Sequence, residues 1–219
     1  MLKHSVYFKI IEALQNAAEC PLCKLEDEAA HSYLDSLLYE AVTDPKIRAE
    51  LVKSRGYCHR HAHRLTGMRD NLGAAIIYQD QIKIYMDLFA VLSGNDRKQR
   101  KHNIPTDTDC PVCRNQLETR RYYLNQLKEG LCEPELQQAY ESSSGLCIPH
   151  LAALLETVKD PGTIKYIYQI EERNLAGLWN ELEEFIRKSD YRFREETFGS
   201  ERDSWRKAIK KVAGNKDIF

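Results

Sequence analysis

The sequence predicts an all-α protein made of two similar three-helix units, and three observations carry that reading. Apolar residues recur at helical rather than alternating spacing. Only 10 Gly and 7 Pro occur in 219 residues, mostly in short clusters that punctuate helix ends. One cysteine–histidine template is written twice, the mark of an internal repeat.

Taken in order, Val6, Phe8, Ile10, Ile11 and Leu14 predict an N-terminal helix leading into Cys20. After the turn Cys20-Pro21-Leu22-Cys23, the residues Leu25, Ala29, Tyr33, Leu37 and Leu38 share a helical face through about Ala41. Asp44-Pro45 opens a second helix, with Asp44 as N-cap and Pro45 in the first helical position. Leu51 and Val52 give it an apolar face, and Gly56 is its stop. A long third helix runs from about Arg60 to Leu92, with a break near Gly67 to Gly73. The second half follows the same plan, with Glu133-Pro134 in place of Asp44-Pro45 and a break at Asp160-Pro161-Gly162 before a last long helix, Thr163 to Lys188. Ser204 to Val212 is a final short helix.

These elements divide the chain into an N-terminal helix with a first unit (1–92), a polar linker (93–109), a second unit (110–188) and a tail (189–219). Leu, Ile and Tyr occupy more than one face of the third helices, so the two units are expected to pack as one helical body. The tail has no counterpart in the first half and reads as a strap across both units.

The template itself is CPxC…CxxH. Cys20-Pro21-Leu22-Cys23 is followed after 34 residues by Cys58-His59-Arg60-His61. Cys110-Pro111-Val112-Cys113 is followed after 33 residues by Cys147-Ile148-Pro149-His150. Residues between the motifs match too: Tyr33-Leu34 lies over Tyr123-Leu124, Gly56-Tyr57-Cys58 over Gly145-Leu146-Cys147, and Ile77-Tyr78-Gln79 over Ile167-Tyr168-Gln169. The offset stays at 89 or 90, so single-residue gaps are enough to align the halves.

Three thiolates and one imidazole are the donor set of a closed, tetrahedral structural zinc site. A CxxC turn brings two sulfurs to one ion, and Pro at its second position restricts the backbone. The expected ligands are Cys20, Cys23, Cys58 and His61 in the first half, and Cys110, Cys113, Cys147 and His150 in the second. Each quartet would join the starts of two helices, where the dipole and unpaired N–H groups favour thiolate. Two Zn2+ per chain is the resulting expectation. An iron–sulfur cluster is the alternative, disfavoured because such clusters usually take four cysteines; a cycling thiol pair would leave the Cys-x-x-His pairs without a purpose.

His59 and His63 lack histidine counterparts at Ile148 and Ala152 and are taken as surface residues. Cys132 aligns near Val42 and is expected to be a small buried hydrophobe, Tyr78 and Tyr168 to be core, and the glutamates of the last helix, Glu171 among them, to form a solvated face.

A net charge of −1 argues against general nucleic-acid affinity, which depends on clustered Lys and Arg. The one basic run, Arg97 to His102, falls in the linker and reads as solvated. No apolar run approaches the ~20 residues of a membrane span, and the start of the chain is too polar for a secretory signal. A cytoplasmic location follows as an expectation, in which seven cysteines serve as metal ligands rather than a disulfide framework. The usual catalytic signatures are missing: no Gly-rich phosphate loop, GxSxG or HExxH occurs.

The doubled CPxC…G[YF]CxxH signature, met in full in the first copy and with Leu146 at the [YF] position of the second, together with Phe185-Ile186-Arg187-Lys188-Ser189-Asp190-Tyr191-Arg192 and Ser204-Trp205-Arg206-Lys207-Ala208-Ile209 further on, resembles a family of bacterial and archaeal proteins known as a domain of unknown function. The resemblance covers nearly the whole chain. It supports the eight ligand positions and implies no activity. The function expected is a metal-stapled helical scaffold or interaction protein with a protein partner. The alternative is a thiol-based redox or metal-responsive switch using the same sites.

Overall fold

The computed structural model describes residues 5–16, 19–93, 104 and 108–219. Among them the only regular secondary structure is helical: α1 (Ser5–Asn16), α2 (Pro21–Ser36), α3 (Pro45–Ser54), α4 (His59–Leu65), α5 (Asn71–Ser93), α6 (Pro111–Gly130), α7 (Pro134–Ser142), α8 (Ile148–Thr157), α9 (Pro161–Lys188) and α10 (Ser204–Ala213). The last turn of α2 widens into a π-helical turn over Leu37–Ala41. The all-α class is as expected. The basic run, most of the 93–109 linker and the first four residues lie outside the described residues.

Local chemistry places the helix ends. Asp44 caps α3, its Oδ1 accepting from the Lys46 N–H at 2.7 Å, with Pro45 in the first turn. Asp160 does the same for α9, its Oδ2 accepting from the Thr163 N–H at 2.7 Å. At the end of α3 the chain turns left-handed through Arg55 (φ 59°) and Gly56 (φ 77°), and the Gly56 N–H donates to the Leu51 carbonyl at 2.8 Å. The third helix of each half is broken where expected, between α4 and α5 and between α8 and α9.

The division of the chain is not the one expected. One compact unit comprises Met1–Glu28 together with Thr119–Phe219, and the other is the continuous stretch Ala29–Glu118. The boundaries therefore fall inside α2 and α6 rather than in the 93–109 linker, correcting the 1–92 and 110–188 assignment. Burial gives the reason. In the first unit α1 packs on α7, and Ile10, Leu14, Leu22 and Leu25 share a core with Leu127, Leu136, Tyr140, Leu154 and Ile167. In the second unit Leu34, Leu38, Leu51, Leu65 and Ile77 share a core with Cys110 and Val112. The opening turn of each CPxC helix thus contributes its apolar residues to a core built mainly by the other half of the sequence. The tail belongs to the first unit, where α10 packs on α8 and α9.

Three expectations fail at single residues. Cys132 is exposed, because it sits in the turn after α6, where its N–H bonds back to the Glu129 carbonyl. Tyr168 is 53% exposed, while Tyr78 is half-buried. Glu171 is only 2% exposed instead of solvated. Its Oε1 accepts from the Tyr140 hydroxyl at 2.5 Å and the Leu146 N–H at 2.7 Å, and its Oε2 takes the Lys211 ammonium at 2.6 Å. A buried carboxylate persists only when its oxygens are satisfied in this way. Burial, reinforced by this carboxylate, pushes the Tyr140 hydroxyl well above the usual phenol range, so it remains a donor.

Gly145 makes the arrangement possible. Its φ is +72°, and a Cβ there would stand 2.5 Å from the Glu171 Oε1. Gly145→Ala is expected to lower the unfolding free energy by about 2 kcal/mol through backbone strain and displacement of the buried carboxylate. Gly67→Ala, whose Cβ would meet nothing closer than 3.6 Å, serves as the control. Urea unfolding midpoints that coincide for the two variants would show that Glu171 is not held against this turn.

Candidate metal centre

Among the described residues, two clusters of three cysteines and one histidine form, each with its ligand atoms all within 4.8 Å of one another. The eight residues are those expected from the sequence, and their grouping is crossed. Cys20 and Cys23 meet Cys147 and His150; Cys110 and Cys113 meet Cys58 and His61. The expected quartets, Cys20/Cys23/Cys58/His61 and Cys110/Cys113/Cys147/His150, do not form.

Each cluster is assembled from two helix starts. Cys20 and Cys110 immediately precede α2 and α6, with Cys23 and Cys113 in the first turns. Their carbonyls accept the first helical N–H groups, from Lys24 at 3.3 Å and Arg114 at 3.2 Å. Cys58 and Cys147 are the N-cap residues of α4 and α8, and His61 and His150 follow three residues later on the same side of the turn. The sequence folds this way locally because a β-region N-cap residue followed by one helical turn aims its side chain and the one three residues on at a common point.

In the first cluster all four residues are buried. His150 Nδ1 lies 3.4 Å from Cys20 Sγ, 3.4 Å from Cys23 Sγ and 3.2 Å from Cys147 Sγ; Cys23 and Cys147 Sγ are 3.6 Å apart. In the second, His61 Nδ1 lies 3.3, 3.5 and 3.4 Å from the sulfurs of Cys58, Cys110 and Cys113, and Cys58 and Cys113 Sγ are 3.6 Å apart. A tetrahedral ion with metal–sulfur bonds of about 2.3 Å and a metal–nitrogen bond of about 2.0 Å sets its sulfurs ~3.8 Å apart and sulfur and nitrogen ~3.5 Å apart. In each cluster the three sulfur–nitrogen distances and the one sulfur–sulfur distance above match those separations to within a few tenths of an ångström, and all ligand atoms lie within 4.8 Å of one another. The cysteines are free thiols, and no disulfide closes either group.

The surroundings of the first cluster complete the fit. His150 presents its other nitrogen, Nε2, to Glu26 Oε1 at 2.7 Å, and Glu26 is fully buried. Arg120 grips the same carboxylate with two bonds of 2.8 Å, donates to the Ile218 carbonyl at 2.9 Å and lies 4.3 Å from the centre of the Phe219 ring. Phe219 also packs edge-on to His150 at 4.8 Å, and the Asn215 N–H donates to Cys23 Sγ at 3.4 Å. A carboxylate behind a ligating histidine fixes which ring nitrogen faces the ion and raises its basicity. The environment invites positive charge: burial pulls the His150 imidazole down, but hydrogen bonds with Cys147, Cys20 and Glu26 outweigh it and lift the ring to about 11. Burial likewise raises the Cys20 thiol, yet bonds from Cys147, Cys23 and His150 hold it well below the ordinary thiol range.

The second cluster differs. Cys58 and Cys113 are half-buried. The residue three positions after the second CPxC cysteine is Gln116 rather than glutamate; its Oε1 accepts from Arg60 at 3.2 Å, and the same Arg60 Nη2 is 3.9 Å from Cys113 Sγ. His59 and His63 are exposed and meet edge-on with ring centres 4.4 Å apart, outside the ligand set, as expected.

Glu26, Arg120 and the Phe219 end of the tail were not singled out from the sequence. The signal for Glu26 was its place three residues after Cys23, on the same helix face. Arg120 and Phe219 carried none, since only the crossed grouping brings them to His150.

Fold and site together define a class: an all-helical protein with two buried or half-buried Cys3His clusters, each pinned at paired helix starts. The chain belongs to a family of unknown function, DUF6062, whose model matches residues 1–218. It is also 25% identical over 198 residues to an "uncharacterized 23.9 kDa protein in xynA 3'region" of Caldicellulosiruptor sp. (strain Rt8B.4), covering 89% of this chain and 95% of that protein. No solved structure matches the chain.

The crossed grouping has a direct chemical consequence. In a Cys147→Ala variant, Cys20 and Cys23 are expected to become reactive toward iodoacetamide while Cys58 stays as protected as in the parent protein, read by mass mapping of the labelled thiols. Protection lost at Cys110 and Cys113 instead would restore the in-half quartets. Glu26→Ala strands the Arg120 guanidinium, which is 19% exposed, and is expected to cost about 3 kcal/mol of stability. Thermal unfolding no different from that of the parent would remove the carboxylate from the support of His150.

Proposed function

We propose that this protein is a zinc-stapled helical scaffold, holding two Zn2+ per chain in the crossed Cys3His clusters and presenting a surface to a protein partner. The observation that carries the reading is the spacing of the ligand atoms: in each cluster the imidazole nitrogen lies 3.2–3.5 Å from all three sulfurs, and two of the sulfurs are 3.6 Å apart. Four protein donors leave no open position on a tetrahedral ion, which suits a structural rather than a hydrolytic site. A histidine in each set favours zinc over an iron–sulfur cluster. The recurrence of the same helix starts at CPxC and CxxH in both halves is consistent with duplication of one ancestral unit.

The interaction role draws on exposed apolar residues. On α9, Tyr168, Leu175, Trp179 and Ile186 recur at spacings of seven, four and seven, within one narrow stripe of the helix, and Trp179 is 64% exposed. On α5, Ile82, Met86 and Phe89 form a comparable stripe. Contiguous exposed apolar side chains of this kind mark surfaces that bind other macromolecules. The near-zero net charge points to protein rather than nucleic acid. No helix among the described residues is long and apolar enough to cross a membrane, in line with a cytoplasmic role.

Elemental analysis of protein purified without added metal tests the reading. Two zinc per chain are expected, and stripping them should lower the far-ultraviolet helical signal, because binding energy at a structural site is folding energy. Iron in place of zinc, or a fully helical protein with no metal, would overturn it.

A further inference from the structure

The two clusters share a donor set but not a setting. At the first, every ligand is buried, the imidazole is backed by Glu26, and Phe219 and the Asn215 N–H cover the ring and one sulfur. At the second, two of three sulfurs belong to half-buried residues, and the position of Glu26 is taken by the neutral Gln116. That correspondence is positional: both residues stand three after the second cysteine of CPxC, and in each cluster that helix meets a CxxH helix start. Gln116 is buried, and its Nε2 has no hydrogen-bond partner among the described residues. Arg60, which bonds the Gln116 oxygen, lies beside Cys113 Sγ.

We infer that the Cys58/His61/Cys110/Cys113 cluster is an exchangeable metal site, which releases and takes up a divalent cation while the Cys20/Cys23/Cys147/His150 cluster keeps its own. This rests on the zinc reading above and deepens it. Metal leaves a thiolate site when a competing ligand or solvent reaches the sulfurs, and half-buried Cys58 and Cys113 permit that approach more readily than the four buried residues of the first cluster. A carboxylate behind a ligating histidine strengthens the metal bond, and its loss typically costs 10–100-fold in affinity; an amide carries no charge to supply the same effect. After release, the Arg60 guanidinium is placed to sit against the Cys113 thiolate, so the emptied site retains a partner for one of its charges. The exchange is a ligand substitution: the cation passes to the competing chelator with no change of oxidation state, and the three thiolates take up protons from solvent or remain ion-paired.

The test uses the full chain loaded with two zinc and challenged with excess 4-(2-pyridylazo)resorcinol, with iodoacetamide labelling of thiols followed in parallel by mass mapping. One equivalent of zinc is expected in a fast phase that coincides with labelling of Cys58 and Cys113, and the second in a phase slower by about tenfold or more. Gln116→Glu should slow the fast phase about 10-fold, and Glu26→Gln should hasten the slow one by a similar factor. Should either variant fold poorly, the biphasic release and labelling order of the parent protein decide the matter alone. Two equivalents leaving in one phase, or a fast phase that unmasks Cys20 and Cys23, would overturn the exchangeable site while leaving the zinc scaffold standing. A chain that takes up no zinc would overturn both.

Discussion

Two helix starts brought face to face, each offering two soft ligands, are the constraint on which this molecule turns. The CPxC turn and the Cys-x-x-His turn are both short, stiff and local, and neither has a core of its own. Their meeting fixes where α2 begins against α8 and where α6 begins against α4. The apolar residues beside the ligands then have little freedom: Leu22 and Leu25 fall among the side chains of α6, α7, α8 and α9, and Val112 falls among those of α2, α3 and α5. Ligand geometry and core packing therefore specify the same arrangement, the consistency between levels expected of a sequence with one well-defined fold.

The crossing of the ligand pairs follows from that packing rather than from the ligands. Two like templates can be matched in two ways, and the metal chemistry is indifferent between them. Chain entropy favours the short closures, but weakly. Joining Cys23 to Cys147 closes a loop with a sequence separation of 124, against 34 intervening residues within a half, and this difference costs only about 1 kcal/mol. Burying Ile10, Leu14, Leu22 and Leu25 in one core contributes several times as much, at roughly 1.5–3 kcal/mol per large apolar side chain. The outcome is analogous to an exchange of equivalent elements between partners, carried out between the halves of one chain.

Much of this was legible in the residues. The helices, the cap at Asp44, the stop at Gly56 and the breaks before α5 and α9 follow from short-range chemistry, which a sequence states directly. So do the eight candidate ligands, because soft donors at these spacings serve few other purposes. What was not legible is long-range: which template meets which, and hence that the chain divides inside α2 and α6. Glu171 and Cys132 show the same limit at single residues. A glutamate among glutamates carries no sign of being buried until Tyr140, Leu146 and Lys211 are placed around it, and alignment with Val42 says nothing of the turn that exposes Cys132.

Similarity of template also conceals asymmetry of setting. If the halves arose as copies, the copies have diverged where the ligands are supported rather than in the ligands themselves. At one cluster a buried carboxylate, its guanidinium and the end of the tail enclose the histidine; at the other a glutamine and an arginine stand beside partly exposed sulfurs. Retaining three sulfurs and an imidazole preserves the capacity to bind a cation, whereas changing the groups behind them alters how firmly and how accessibly it is held. The tail adds to the same difference. It supplies Asn215 and Phe219 to the first cluster and has no counterpart in the first half of the sequence, so the second cluster has no matching enclosure from that half.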